Sequence, residues 1–420
     1  MKRLLFITYF WPPASKATIH WPVKVIKYLP DYDWQPSVLT VENESFEARD
    51  ESLLKDIDPD LNVIKSKVWE PFSAYRKFMG KEKGKPLVAA ETMSISEEGL
   101  KHKIAKWIRW NLFIPDARVG WYPYAVKAGE KFLKENHIDA IATIGPPHST
   151  HLIGSSLSKR TGIPFIPVLI DPWVDIVYYQ SFKRSGIAKD IDTMFEKKVL
   201  RQAEQVVFVT NGTREDYISK YPFIAHKSNV LYWGYNEDDF SGMTRTRERD
   251  NEIVILHSGN IFDYQNPANF WKTVAELNGS GKKIKLKFTG TVSPKIKSEI
   301  SSNGLEGITE YLGIIPYKEM LQEVLNADVL LVCPSERRHI PGKLFEYLRS
   351  GNPILAFNDD NPEVKNLIEQ AGAGKMLSYS DSGKSFFNIL DSFEPNPELI
   401  KKYDRQRIAR DFSDILDSVY

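Results

Sequence analysis

The stretch from Ala327 to Phe357 admits few folds. Ala327–Val332 is an apolar run of strand length, interrupted only at Asp328, which suits a strand buried on both faces. Pro341-Gly342 then opens a helical pattern that places Leu344, Phe345 and Leu348 toward a core. Gly351-Asn352-Pro353 ends the helix and Ile354–Phe357 starts a second buried strand. Strand, helix and strand in that order form a βαβ unit, and such units build parallel sheets with helices on both faces.

The same helix carries chemistry. Lys343, Glu346 and Tyr347 fall at helical spacing in its first turns, on a side read as exposed. A helix terminus and a lysine attract phosphate, and a carboxylate accepts hydrogen bonds from sugar hydroxyls, so a nucleotide fits this patch. A lysine and a glutamate three apart are also commonly just a solvated face.

The whole chain sets the frame for this unit. At 420 residues it exceeds what one core supports, so two domains of similar size are expected. With 26% charged and 42% hydrophobic residues it reads as globular, and a net charge of +1 provides no bulk attraction to nucleic acid. The single cysteine, Cys333, excludes an intrachain disulfide and a cysteine metal site, and it reads as a small buried hydrophobe in a reducing compartment. Met1-Lys-Arg followed by LLFITYF stops at Trp11-Pro-Pro without a small-residue cleavage site, so it reads as a first strand rather than a signal peptide. No apolar stretch is long enough to span a membrane. The histidines lack metal-ligand spacing, and neither a metal nor a cofactor is expected.

Taken in order, Leu4–Tyr9 reads as a strand leading through FWPPASKA, with Lys16, into an amphipathic helix, and residues 36–41 read as the next strand. Residues 42–96 show no clear period and read as an insertion. Residues 97–110 form a basic, tryptophan-bearing helical pattern that either packs on its own domain or lies on a membrane surface. Ile138–Ile144 reads as a strand ending in GPPHSTHLIG. This puts His148 at the carboxyl end of a strand before a helix, where open α/β sheets present ligand groups. His148 reads equally as part of a capping turn there, and His151 lies one turn into the helix. Asp171 ends the following strand, where it either accepts a proton or caps a turn. Asp238–Glu252 is polar and aperiodic and reads as the linker between domains, and Ile253–His257 begins a second strand and helix alternation. The tail from Pro397 is helical. The domains expected are 1–237, 252–397 and a C-terminal helix, 398–420.

PGKLFEYLRSGNPIL resembles the nucleotide-sugar signature of group 1 glycosyltransferases, family four of the retaining GT-B enzymes, and GPPHSTHLIG resembles their N-terminal histidine loop. The resemblance spans nearly the whole chain, is strongest at 145–173 and 339–357, and is missing over 42–96. It implies two doubly wound, Rossmann-like α/β domains facing a cleft, with the last helix returning to the first domain. It also implies a sugar moved from a nucleoside-diphosphate donor to a glycan or lipid-linked acceptor, with retention, in bacterial cell-surface polysaccharide synthesis. Lys343 would approach the diphosphate, Glu346 the ribose and His148 the reacting sugar, with Asp171 as a further catalytic candidate. Donor contacts would come from Lys16, Gly259, Asn260, Arg337, Arg338, Pro341, Gly342 and Leu344, and Asp116, Arg118 and Trp121 fall on the acceptor side. The enzyme would be cytoplasmic, or peripheral on the inner membrane face through 97–110.

Several positions depart from the family pattern. Arg338 stands where the family has the donor-sugar glutamate, Ile170 where it has arginine, and ASKA where it has a glycine pair. Asn260 stands where the family supplies a cation pair, which points to a phosphate site relocated to Lys343 with Arg337 or Arg338. These departures leave two alternatives open: a sugar-nucleotide isomerase of the same fold, and a binding protein without catalysis.

Overall fold

The computed structural model describes residues 1–14, 16–42, 49, 51, 53–69, 107–176, 184–248 and 251–420. It divides into two compact units. The first comprises Met1–Val209, Thr213–Tyr232 and Ala409–Tyr420, and the second Thr210–Gly212 and Trp233–Ile408.

In the first unit the order is Lys2–Ile7 (β1), His20–Tyr28 (α1), Trp34–Val41 (β2), Asn62–Ser66 (β3), Tyr122–Glu135 (α2), Ala140–Gly145 (β4) and Ser149–Thr161 (α3). Phe165–Leu169 (β5), Gly186–Gln202 (α4), Val206–Phe208 (β6), Asn211–Lys220 (α5) and Ser228–Val230 (β7) complete it. The seven strands run parallel in the order β3-β2-β1-β4-β5-β6-β7. Every residue of β4 and β5 is buried, the pattern of a strand covered on both faces. The direction of strand addition reverses between β1 and β4, which pair from Leu4 with Ala140 to Ile7 with Thr143. At such a switch point the loops leaving two neighbouring strands part and open a crevice at their carboxyl ends.

The second unit repeats this plan. Glu252–His257 (β8), Ala268–Gly279 (α6), Lys283–Thr289 (β9), Pro294–Ser302 (α7), Thr309–Gly313 (β10), Tyr317–Asn326 (α8) and Val329–Val332 (β11) come first. Lys343–Ser350 (α9), Ile354–Phe357 (β12), Pro362–Gln370 (α10) and Gly374–Leu377 (β13) follow. The six parallel strands lie in the order β10-β9-β8-β11-β12-β13, with the switch between β8 and β11. The expected βαβ unit is β11-α9-β12, and all eight strand residues are buried. Cys333 is buried just past β11, where desolvation pushes its thiol up to about 12, so it behaves as a small apolar residue.

Some expectations change. Part of the segment expected as an insertion, 42–96, forms the edge strand β3, paired along β2 from Ser37 with Asn62 to Val41 with Ser66. Its sequence, NVIKS, buries only one residue fully, so its pattern is too weak to read as a strand. Residues 43–48, 50, 52, 70–96 and the first part of the helix expected at 97–110, 97–106, lie outside the described residues, while 107–112 are helical. The expected linker, Asp238–Glu252, is tied into the second unit: Arg245 and Arg247 each lie 2.5 Å from the Asp328 carboxylate, which also accepts the Val254 N–H. The tail forms two helices, Pro397–Ile400 and Arg405–Asp417, separated by a 3-10 turn at Lys401–Tyr403. The second of these begins in the second unit and ends in the first.

Candidate functional site

Each unit places its polar candidates at its own switch point. In the second unit the loop after β8 meets the start of α9. The Lys343 ammonium donates to the Ser258 carbonyl at 2.5 Å and lies 2.8 Å from His257 Nε2. The Tyr347 hydroxyl accepts the Ser258 N–H at 2.8 Å, so the loop is clamped from both ends of the helix's first turns. Gly259 follows at φ +84°, a conformation that favours glycine, and a β-carbon there would lie 3.9 Å from Lys343 Nζ. Gly290, at the end of β9, backs onto it so closely that a β-carbon would fall 2.7 Å from the Gly259 backbone.

Burial without a carboxylate partner holds Lys343 down to about 7, and burial beside that lysine holds His257 well below the usual imidazole range. The proton affinity of Lys343 is lowered toward neutrality, and an anion arriving at it favours the charged form.

Glu346 lies one turn along, but it is not on an exposed side: it is 6% exposed and Tyr347 is fully buried. The helical pattern places them outward only if nothing else covers the helix, whereas Tyr317 of α8 and Arg405 lie over it. Glu346 Oε1 accepts from the Tyr317 hydroxyl at 3.0 Å, while Oε2 is buried with no hydrogen-bond partner. Burial raises this carboxyl, with Arg405 as the largest opposing influence. An orphaned carboxylate oxygen costs stability unless a ligand donates to it.

The other donor candidates are disposed differently. Leu344 is wholly buried, and its N–H donates to the Pro341 carbonyl at 2.9 Å. Gly342 packs against the Trp233 indole, whose ring would lie 3.1 Å from an added β-carbon. Arg338, expected to meet phosphate, is engaged by Glu336 through two 3.2 Å contacts. Arg337 is exposed on the same loop. Asn260 is exposed and uses its side-chain carbonyl to accept the Thr291 N–H at 2.9 Å.

In the first unit the loop after β4 carries His148, 3% exposed, its ring stacked on Trp173 at 5.1 Å and 6°. No hydrogen bond of good geometry reaches either ring nitrogen, and burial outweighs the pull of the Pro172 backbone and holds the imidazole down to about 3, so it is neutral at physiological pH. His151 packs beside it, its Nδ1 2.8 Å from the Thr143 hydroxyl. Both rings crowd over the end of β4, where a β-carbon on Gly145 would fall 2.6 Å from His151 Nε2. His148 is not needed as a cap. The half-buried Asp116 carboxylate accepts the Ser149 N–H at 2.8 Å and the Ser149 hydroxyl at 3.0 Å, stabilising the start of α3 from outside the helix.

Trp173 is fixed in turn by Asp192, which accepts its indole N–H at 2.7 Å, and by the Tyr217 hydroxyl on its backbone N–H. Asp171 is partly exposed just beyond β5. Lys16 lies 5.6 Å over the Phe10 ring, and Ser15 beside it is outside the described residues. Trp121 is a core side chain that donates to Ser66, and Arg118 lies over the Tyr9 ring, so both build the fold. Among the described residues no three His, Cys, Asp or Glu side chains converge as a metal site, and no helix is long and apolar enough to cross a membrane.

His257, Trp173 and Asp192 join these groups only in the folded units. His257 had a signal, as the polar end of an apolar strand. Asp192 sits mid-helix and becomes visible only once α4 is folded.

Residues 243–409 match the family model for glycosyl transferases group 1. No curated protein matches the chain. Among solved structures, a glycosyltransferase from Rickettsia africae is similar at 14% identity over 100% of this chain and 98% of its own, with TM-score 0.63. HepE from Anabaena in complex with UDP and glucose is similar at 14% identity over 100% of both chains, with TM-score 0.57. A UDP-N-acetylglucosamine 2-epimerase is similar at 11% identity over 98% of this chain and 93% of its own, with TM-score 0.52. With two parallel-sheet α/β units, the fold is the two-domain, Rossmann-like GT-B fold.

Proposed function

We propose that the chain is a glycosyltransferase of the retaining family four, of bacterial type. It takes a sugar from a nucleoside-diphosphate donor and passes it to a glycan or lipid-linked acceptor in cell-surface polysaccharide synthesis. The observation that carries this reading is Lys343, a partly desolvated ammonium held at the switch point of the second sheet with no carboxylate pairing it among the described residues. As the nucleoside diphosphate departs, charge grows on its terminal phosphate, and an ammonium held beside it stabilises that charge more than the ground state. The unpartnered Glu346 oxygen supports a ribose contact, since it lacks the donors that two hydroxyls supply. His148, neutral and with no hydrogen bond of good geometry at either ring nitrogen, is suited to accept or donate one to the sugar without adding charge. A uridine nucleotide is the first to try, because the similar HepE structure contains UDP.

The test is a melting-temperature screen with nucleoside diphosphates and their sugars, followed by assay of the stabilising donor with and without acceptors. Ligands that bind only the folded chain raise the transition. Stabilisation by one nucleoside diphosphate, and sugar transfer from its conjugate, are the expected results. Release of an altered sugar nucleotide with no acceptor present would instead make the chain an isomerase, the activity in the name of the similar epimerase.

A further inference from the structure

We propose that the loop after β8 carries a subsite for a pyranose ring of the glycan acceptor, built on the aromatic pair Phe262 and Tyr264. This subsite presupposes the transfer reading and deepens it. Phe262 and Tyr264 are 50% and 63% exposed, yet their ring centroids lie 5.8 Å apart and the planes are only 10° from parallel. Single exposed aromatics are ordinary, whereas two aligned rings on a loop that starts at the candidate site form a surface for a ligand to cover.

The loop is fastened on both sides of the pair. Ile261 is buried; its N–H donates to the Thr291 carbonyl at 2.9 Å and its carbonyl accepts the Ser293 N–H at 3.0 Å. Beyond the pair, the buried Gln265 side chain accepts the Phe262 N–H at 3.1 Å and donates to the Cys333 carbonyl past the end of β11. Residues 262–264 therefore sit on a fixed frame, and presenting the rings to a ligand costs little further ordering.

The polar groups beside the rings suit a sugar. Asp263, between them in the chain, is exposed, and Asn260 spends its side-chain carbonyl on the Thr291 N–H, which leaves its amide group to donate. A pyranose has an apolar face of C–H groups and a rim of hydroxyls. Flat rings cover the first, and a carboxylate and an amide meet the second. Topology separates this subsite from the nucleoside. The β8-to-β9 and β11-to-β12 connections cross the sheet in opposite directions, so right-handed crossovers put α6 and α9 on opposite faces. Glu346, the ribose candidate, is on α9, whereas Phe262 and Tyr264 lead into α6. A donor with its ribose at Glu346 and its phosphates at Lys343 leaves the α6 side for sugar. The donor's own sugar is joined directly to the phosphate and stays beside Lys343, so rings this far out in solvent meet a separate sugar, that of the acceptor.

The test is saturation-transfer NMR on the full chain with the methyl glycosides of glucose, galactose, mannose and N-acetylglucosamine, beside calorimetry with UDP and UDP-glucose. Saturation should reach the ring protons of at least one glycoside. Phe262→Ala with Tyr264→Ala should weaken that binding about tenfold or more, and Tyr264→Phe, which keeps the ring, should retain it. Melting temperatures and the affinities for UDP and UDP-glucose should stay at the parent's values. No transfer to any of the four glycosides, or equal transfer in the double variant, would overturn the proposal. So would weaker UDP-glucose binding by the double variant with UDP binding intact, which would give the rings to the donor sugar, or a lowered melting temperature, which would make them a packing contact. Failure of the transfer reading has a different signature: no nucleoside diphosphate binds the parent while the glycoside signal persists.

Discussion

The two units have the same topology at their switch points and opposite electrostatics. In the second, Lys343 is an ammonium that burial has brought to the edge of neutrality, bonded to the Ser258 carbonyl and His257. In the first, His148 is an imidazole that burial keeps neutral, its ring stacked on Trp173. Desolvation acts on both, but it leaves a group with a high starting pKa able to regain its proton when an anion arrives, and it leaves one with a low starting pKa neutral. One scaffold thereby provides a responsive cation in one half and an uncharged hydrogen-bonding ring in the other. In open α/β sheets this chemistry lies in the loops that the strands deliver, as it does here.

Replacing Lys343 by Ala breaks the comparison most severely. Turnover should fall roughly a hundredfold to a thousandfold, as for loss of a group stabilising transition-state charge, in a steady-state transfer assay. Fold stability moves otherwise. The folded pKa of Lys343 lies below its unfolded value of 10.5, so the unfolded chain binds more protons between about 7 and 10.5, and this residue opposes folding below that window. Lys343→Met should therefore keep or raise the melting temperature at neutral pH. Removing the ring of His148 should cost about tenfold in turnover while nucleoside-diphosphate affinity stays unchanged, which places its contribution on the sugar. Asp116→Ala removes an external helix cap worth about 1 kcal/mol and should lower the melting temperature by a few degrees, with no change in nucleotide affinity. Arg338→Ala should have the smallest effect, within about twofold in nucleoside-diphosphate affinity, because Glu336 already engages the guanidinium in a part-exposed pair of small net energy.

Long apolar runs were legible in the sequence. Leu330–Val332 and Ile354–Phe357 announce buried parallel strands, and the intervening helix follows from its breakers. The edge strand Asn62–Ser66 was not, because an edge strand leaves most of its side chains exposed and loses the continuous apolar signal. At the candidate site, Lys343, Glu346 and His148 stand out as polar residues at strand and helix ends, but their burial does not. Glu346 reads as exposed on its own helix, and only the folded unit brings Tyr317 and Arg405 over it. For the same reason Arg338 reads as an available cation until the turn at 335–339 brings Glu336 against it.

A diphosphate meeting Lys343 is the step on which sugar transfer would depend. Calorimetric titration of the most stabilising nucleoside diphosphate into the parent and Lys343→Ala proteins, below and above pH 7, tests this directly. For the parent, affinity should be full below pH 7, weaken as pH rises, and be accompanied by proton uptake near neutrality, since the anion raises a pKa that starts at about 7. The variant should bind at least about tenfold more weakly and lose that uptake. Equal affinities, with the same pH dependence in both proteins, would contradict it.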